Sequence, residues 1–118
     1  MRLMKRDQRQ VVFRERITIK EPDATTYEDW SPDAITVSGS VQPAGGKVMA
    51  EMYGERLGNM LVMYSDDQKA KQLAEAFNSE RKGFGALVYV AADTLEPDYR
   101  VVAVRPWRHT VIELEKVR

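Results

Sequence analysis

A mainly β (α+β) fold, a small antiparallel β-barrel with one side helix and a long inter-strand loop, is what three features of this 118-residue chain predict. Several short segments alternate apolar and polar residues with the period of two that a half-buried strand imposes. Clusters of Gly, Pro, Asp and Asn punctuate them as turns. One stretch, at about 66–82, switches to the 3.6-residue period of a helix. The length is that of one domain, 1–118.

Composition narrows the function classes. There is no cysteine, hence no disulfide framework and no thiolate metal site. Eighteen basic and 18 acidic residues cancel, so bulk charge does not drive the chain onto nucleic acid or anionic lipid. No apolar run approaches the ~20 residues that span a bilayer, and the charged first ten residues lack the apolar stretch of a signal peptide. A soluble protein of an intracellular compartment, without a membrane partner, is the expectation.

Residues 1–10 (MRLMKRDQRQ) read as a flexible basic N-terminal arm, either solvated or touching nucleic acid. Residues 11–20 set Val11, Phe13, Ile17 and Ile19 against Arg14, Arg16, Thr18 and Lys20, which predicts a half-buried strand, with Glu15 interrupting its apolar face. Residues 21–34 predict a turn-rich acidic connection, because Pro22-Asp23 and Ser31-Pro32-Asp33 are both turn signals. Within it Trp30 is expected to cap the core. Glu28, Asp29 and Asp33 lack the spacing and glycine of a calcium loop. Residues 35–42 alternate without a fault, and Gly39 marks a bend or a close approach of backbone in that strand.

The loop at about 43–58 then leaves the sheet through Pro43-Ala44-Gly45-Gly46 and returns through Gly58-Asn59 to a strand at 60–64. Excursions of this length in a compact β domain are usually functional or mobile. Val48, Met49, Met52, Tyr53 and Leu57 give it an adaptable, methionine-rich surface suited to oligomer or partner contact. The same spacing fits an amphipathic helix packed on the core, and the two readings are compatible.

Residues 65–82 follow. Ser65 and Gln68 have the form of a capping box, Ala70, Leu73, Ala74 and Phe77 share one face, and Gly83 is placed to end the helix. Asp66 and Asp67 suit the positive end of the helix dipole better than a metal. Gly83-Phe84-Gly85 follows a helix and precedes a strand, the reverse of a phosphate loop. Residues 86–90 predict a strand and 93–98 a turn. Residues 99–105 and 110–117 predict a closing hairpin about Pro106-Trp107-Arg108-His109, its last strand burying Ile112 and Leu114 and wetting Glu113 and Glu115. Trp107 and Arg108 at that tip are candidate partner contacts.

The residues of a catalytic apparatus are not assembled. The sole histidine, His109, falls in a turn, the serines have no elbow motif, and no carboxylate pair has an apolar setting. No cofactor is implied. A binding or structural module, not an enzyme, is expected.

The series GSVQPAGGK, MYGERLGNMLVMY and EPDYRVVAVRPWRHTVIELEKV resembles the head-completion proteins of tailed phages, also described as head–tail connector, head-closure, stopper or minor capsid proteins. The resemblance spans roughly residues 30–118. It implies a β-barrel whose copies form a ring, a dodecamer, in the neck of the virion between the portal or adaptor and the tail tube or its terminator. Such rings close the DNA exit channel after packaging and offer the tail its attachment surface. Assembly would take place in the host cytoplasm. Carried onto this chain, the channel loop is 43–57, with Lys47 and Arg56 as its DNA-facing basic members. The helix at 65–82 departs from the short connection of many relatives. Two other readings stay open: a tail-side completion or terminator protein, and a small nucleic-acid-binding barrel of OB or SH3-like type.

Overall fold

The computed structural model describes residues 8–91 and 96–117. Its strands are β1 (Arg9–Lys20), β2 (Thr26–Pro43), β3 (Met60–Ser65), β4 (Phe84–Leu87), β5 (Tyr99–Pro106) and β6 (Thr110–Lys116). Two helices interrupt them, α1 (Lys47–Tyr53), continued by a 3₁₀ segment Gly54–Asn59, and α2 (Gln68–Asn78). All strand pairs are antiparallel and the sheet closes in the order β1–β2–β3–β6–β5–β4. The fold is thus the small antiparallel barrel that the alternation predicts.

Inward-facing residues make one core, in which Val11, Phe13, Val37, Met63, Leu73, Ile112 and Leu114 have no exposed surface. Gly39 is required where β2 passes β3. A Cβ there would stand 2.6 Å from the Tyr64 carbonyl oxygen and 2.8 Å from Met63 Cε, so the expected close backbone approach is real. Helix α2 places Ala70, Leu73 and Ala74 on the core. It touches both β2 and β5, which lie three strands apart around a six-stranded barrel, and so closes one mouth.

The connection expected over 21–34 is a turn only at its start. Pro22-Asp23-Ala24 form a tight loop in which Glu21 N–H donates to the Thr25 carbonyl at 2.8 Å, with Ala24 left-handed (φ 71°). From Thr26 onward the chain is strand. The second turn signal is absorbed as a bulge, because pairing jumps from Arg14↔Ala34 to Arg16↔Trp30 and leaves Ser31-Pro32-Asp33 opposite Glu15 alone. A proline costs no ladder bond at such a site. The buried Arg14 side chain takes the Ser31 and Pro32 carbonyls at 3.1 and 2.7 Å, satisfying acceptors the bulge would orphan.

Beyond the bulge and the Arg16 N–H bond to the Gly83 carbonyl, 17–20 and 26–30 pair only with each other, since β4 joins β1 at Val12–Glu15 and β3 joins β2 at Ser40–Pro43. The result is a two-stranded ribbon projecting from the barrel. It accounts for principal extents of 52 × 30 × 28 Å and a radius of gyration of 14.8 Å, against roughly 13.5 Å for a compact chain of this length.

Other boundaries shift for local reasons. The N-cap of α2 is Asp67, whose Oδ1 accepts from Lys69 N–H at 3.0 Å. Ser65 instead ends β3, donating to the Ser38 carbonyl and accepting from Asp67 N–H. The helix stops at Asn78, and the left-handed residue after it is Arg81 (φ 56°), not Gly83. Strand β4 begins at Phe84 and ends at Leu87, because the Asp98 carboxylate takes the amides of Val88 and Tyr89 at 2.9 and 3.0 Å. Of the expected basic arm, Arg9 already lies in β1, donating to the Val88 carbonyl and covering the Tyr89 ring. Residues 1–7, residue 92 and 93–95 of the expected turn lie outside the described residues.

Candidate functional site

The outer wall of the barrel over β3, β6 and β5 is covered by the excursion between β2 and β3. Residues alternate along β6, so Val111, Glu113 and Glu115 face outward while Ile112 and Leu114 fill the core. Their cross-strand partners on β3 are Tyr64, Val62 and Met60. The wet face expected for β6 is instead covered: Glu113 is 3% exposed and the Glu115 side chain 13%.

Both carboxylates are gripped from two sides. Glu113 pairs with Arg105 of β5 at 3.0 Å and accepts from the Tyr53 hydroxyl at 3.1 Å. Glu115 accepts two bonds from Arg56, 2.7 Å from Nε and 3.0 Å from Nη2, and is also held by Arg100 of β5. The Arg56 hydrogen bonds, followed by those of Arg100, hold the Glu115 carboxyl at about 2, far below its usual 4.5. Burial, reinforced by the Glu113 charge, raises the Tyr53 phenol and keeps it a donor. Arg56 also lies over the Tyr53 ring, 5.3 Å from its centroid. These contacts clip the excursion to the wall through its last helical turn and its 3₁₀ segment. Gly54 separates the two at φ 55°, ψ −123°, a conformation essentially reserved for glycine.

Helix α1 therefore overhangs the wall and buries none of its residues. A groove of about 700 Å³ opens between it and the tip of the β5–β6 hairpin. Val48, Met49 and Met52 line one side, Val62, Tyr64 and Val111 the floor, and Trp107, Arg108 and His109 the other side. Val48, Met52 and Trp107 are 69%, 52% and 64% exposed. Arg105 bridges floor and rim, pairing with Glu113 while its guanidinium lies 5.8 Å from the Trp107 ring centre. His109 Nδ1 meets Asp66 Oδ1 at 2.5 Å, anchoring the hairpin tip beside the start of α2. A second cleft, of about 340 Å³ with Arg16, Trp30, Pro97 and Tyr99 in its wall, lies at the root of the ribbon. Trp30 is half-buried there under Arg16, whose guanidinium is 5.4 Å from its ring centre.

Four of the sequence-predicted contact residues, Met49, Met52, Trp107 and Arg108, thus meet in one groove although 55 to 59 positions of chain separate the first two from the last two. Tyr53 stands behind it as a clip. Leu57 is half-buried in the 3₁₀ segment, outside the groove lining. The two basic residues of the expected channel loop do not converge. Lys47 is exposed at the first position of α1, whereas Arg56 is committed to Glu115. Sequence reasoning missed the clip, Glu113, Glu115, Arg100 and Arg105. Its signal was present as alternating glutamates in 110–116 facing arginines at both ends of the preceding strand.

Among the described residues no group of three His, Asp or Glu side chains is placed to hold a metal, and no helix is long and apolar enough to cross a membrane. No protein-family model matches the chain, and no curated protein or solved structure matches it at a significant level.

Proposed function

We propose that this chain is a structural virion component of the tailed-phage neck, forming a ring between the portal or adaptor and the tail. In this reading it closes the DNA exit channel and works by binding rather than by catalysis. The observation that carries the reading is the exposed apolar groove. A monomer that leaves Val48, Met52 and Trp107 uncovered around one furrow is built to have them covered by a protein partner. Methionines on one side and an aromatic on the other are the residue types that anchor such contacts. The resemblance of 30–118 to head-completion proteins supplies the identity of the assembly.

The excursion held over β3 and β6 is the segment that the resemblance makes the channel loop. Its clip to Glu113 and Glu115 is polar and half-exposed at Arg56, so it can be released without breaking the core. A DNA-facing role falls chiefly to Lys47, multiplied around the ring. A nucleic-acid-binding barrel acting alone is the weaker reading, because Arg56, Arg100 and Arg105 are engaged by carboxylates on the wall.

The test uses DNA-filled heads of the encoding virus assembled without this protein. Adding the purified chain should render the packaged DNA resistant to nuclease and restore tail attachment. Heads that leak DNA equally with and without it would overturn the proposal. Protection of isolated tails instead would place the protein on the tail side.

A further inference from the structure

We infer that the groove is filled by the β1–β2 ribbon of a second copy of this chain, giving a head-to-tail contact. The inference rests on the ring reading for its setting but on separate observations for its content.

The ribbon has reasons to seek a partner. Beyond the Arg16 amide, which donates to the Gly83 carbonyl at 2.8 Å, residues 17–20 and 26–30 form only two strands, with neither edge paired. Isolated two-stranded ribbons are marginal in water, and unpaired edges invite association. Register sets Ile17 opposite Asp29 and Ile19 opposite Tyr27, so one face of the ribbon carries Ile17, Ile19 and Tyr27. Tyr27 is 46% exposed. The other face is occupied within the subunit, where Arg16 pairs with Glu28 at 3.3 Å and lies over Trp30. The apolar face is the one left for a neighbour.

Charge and position match the groove. Residues 16–30 hold four acidic and two basic side chains, with Glu21 and Asp23 at the tip and Asp29 on the apolar face. The groove rim offers Arg108 beside Trp107, and Lys47 stands at the adjoining end of α1. Asp23 is held ionised by the Thr25 hydroxyl and amide, which keeps the tip anionic. The groove floor lies on β3 and β6, and β6 is three strands from β1 in either direction around the barrel. The ribbon part of β2, 26–30, lies well before the Ser40–Pro43 stretch that borders β3, so donor ribbon and acceptor groove are separate surfaces of the subunit. A contact between two unlike, separate surfaces propagates and, at the right rotation, closes a ring.

The chain has no cysteine, so introduced thiols report cleanly. Tyr27→Cys and Met52→Cys are both at exposed positions and leave the core intact. Mixed in equal amounts and treated with a short bis-maleimide, the two variants should form a Tyr27–Met52 heterodimer at least tenfold faster than Tyr27→Cys paired with Ser79→Cys. The double variant Tyr27→Cys/Met52→Cys should give a ladder of oligomers. Equal rates for the two pairings, or no adduct with Met52→Cys, would overturn the inference. A ring on heads whose cross-links map elsewhere would sink this contact and leave the neck reading standing. Selective cross-linking without any binding to heads would do the reverse.

Discussion

Replacing Glu115 by glutamine tests the clip that holds the excursion on the barrel wall. The substitution keeps the shape and removes the charge that Arg56 and Arg100 share. A carboxyl moved from 4.5 to about 2 corresponds, at about 1.4 kcal/mol per pKa unit, to roughly 3 kcal/mol. Both guanidinium partners are about half exposed, at 47% and 53%, so water screens them and the expected loss falls to about 1–1.5 kcal/mol. For a domain of this size that is roughly 5 °C in Tm. The folded-state pKa is depressed, so the stabilisation is complete above the unfolded value of 4.5 and is lost as pH falls through about 2. Urea unfolding of the wild type and Glu115→Gln at pH 7 should differ by that amount, and the gap should close progressively below pH 4.5. Amides of 54–59 should exchange faster in the variant, while core amides should speed up only in proportion to the loss of global stability. Equal stabilities at pH 7, or a gap that does not depend on pH, would refute the reasoning.

Asp98→Ala should cost about 2–4 kcal/mol, because it strips the Val88 and Tyr89 amides of their acceptor at a buried site; thermal unfolding measures it. Asp67→Ala removes the α2 cap and the acceptor for Ser38 N–H and should cost about 1–2 kcal/mol, with Asp67→Asn recovering much of it. The two backbone bonds, to Lys69 first and Ser38 second, lower the Asp67 pKa, so this contribution is present at neutral pH and fades as the carboxylate protonates in acid. The double variant Met52→Ser/Trp107→Ser should leave urea stability within about 0.5 kcal/mol of wild type, since both side chains are mostly exposed, yet abolish binding to heads. A variant that binds normally would remove the groove from the account.

Much of the fold was legible because alternation is a local signal. Val11 and Phe13, the unbroken 35–42 stretch, and Ile112 with Leu114 each declare a strand and its inward face. The ribbon was not legible. Pro22-Asp23 and Ser31-Pro32-Asp33 are chemically equivalent turn signals, and only the tertiary grip of Arg14 on two carbonyls turns the second into a bulge. Ser65 looked like a cap because its spacing to Gln68 is right, but β3 needed it and Asp67 took the role two residues later. At the site, the methionines and Trp107 announced themselves as surplus apolar residues in turn-like surroundings. The clip did not, since Glu113 and Glu115 look like a solvated face until the excursion folds back over them. Which residues an excursion covers is decided by long-range contact: the alternating glutamates of β6 and the arginines of β5 mark a paired face but not what lies over it.

The most direct test of the neck assignment is cryo-electron microscopy of DNA-filled heads mixed with the purified chain. The account predicts a ring of barrel-sized densities at the portal exit, each with its ribbon lying in the groove of the next and with DNA retained above. Heads whose portal exit carries no added density would contradict it.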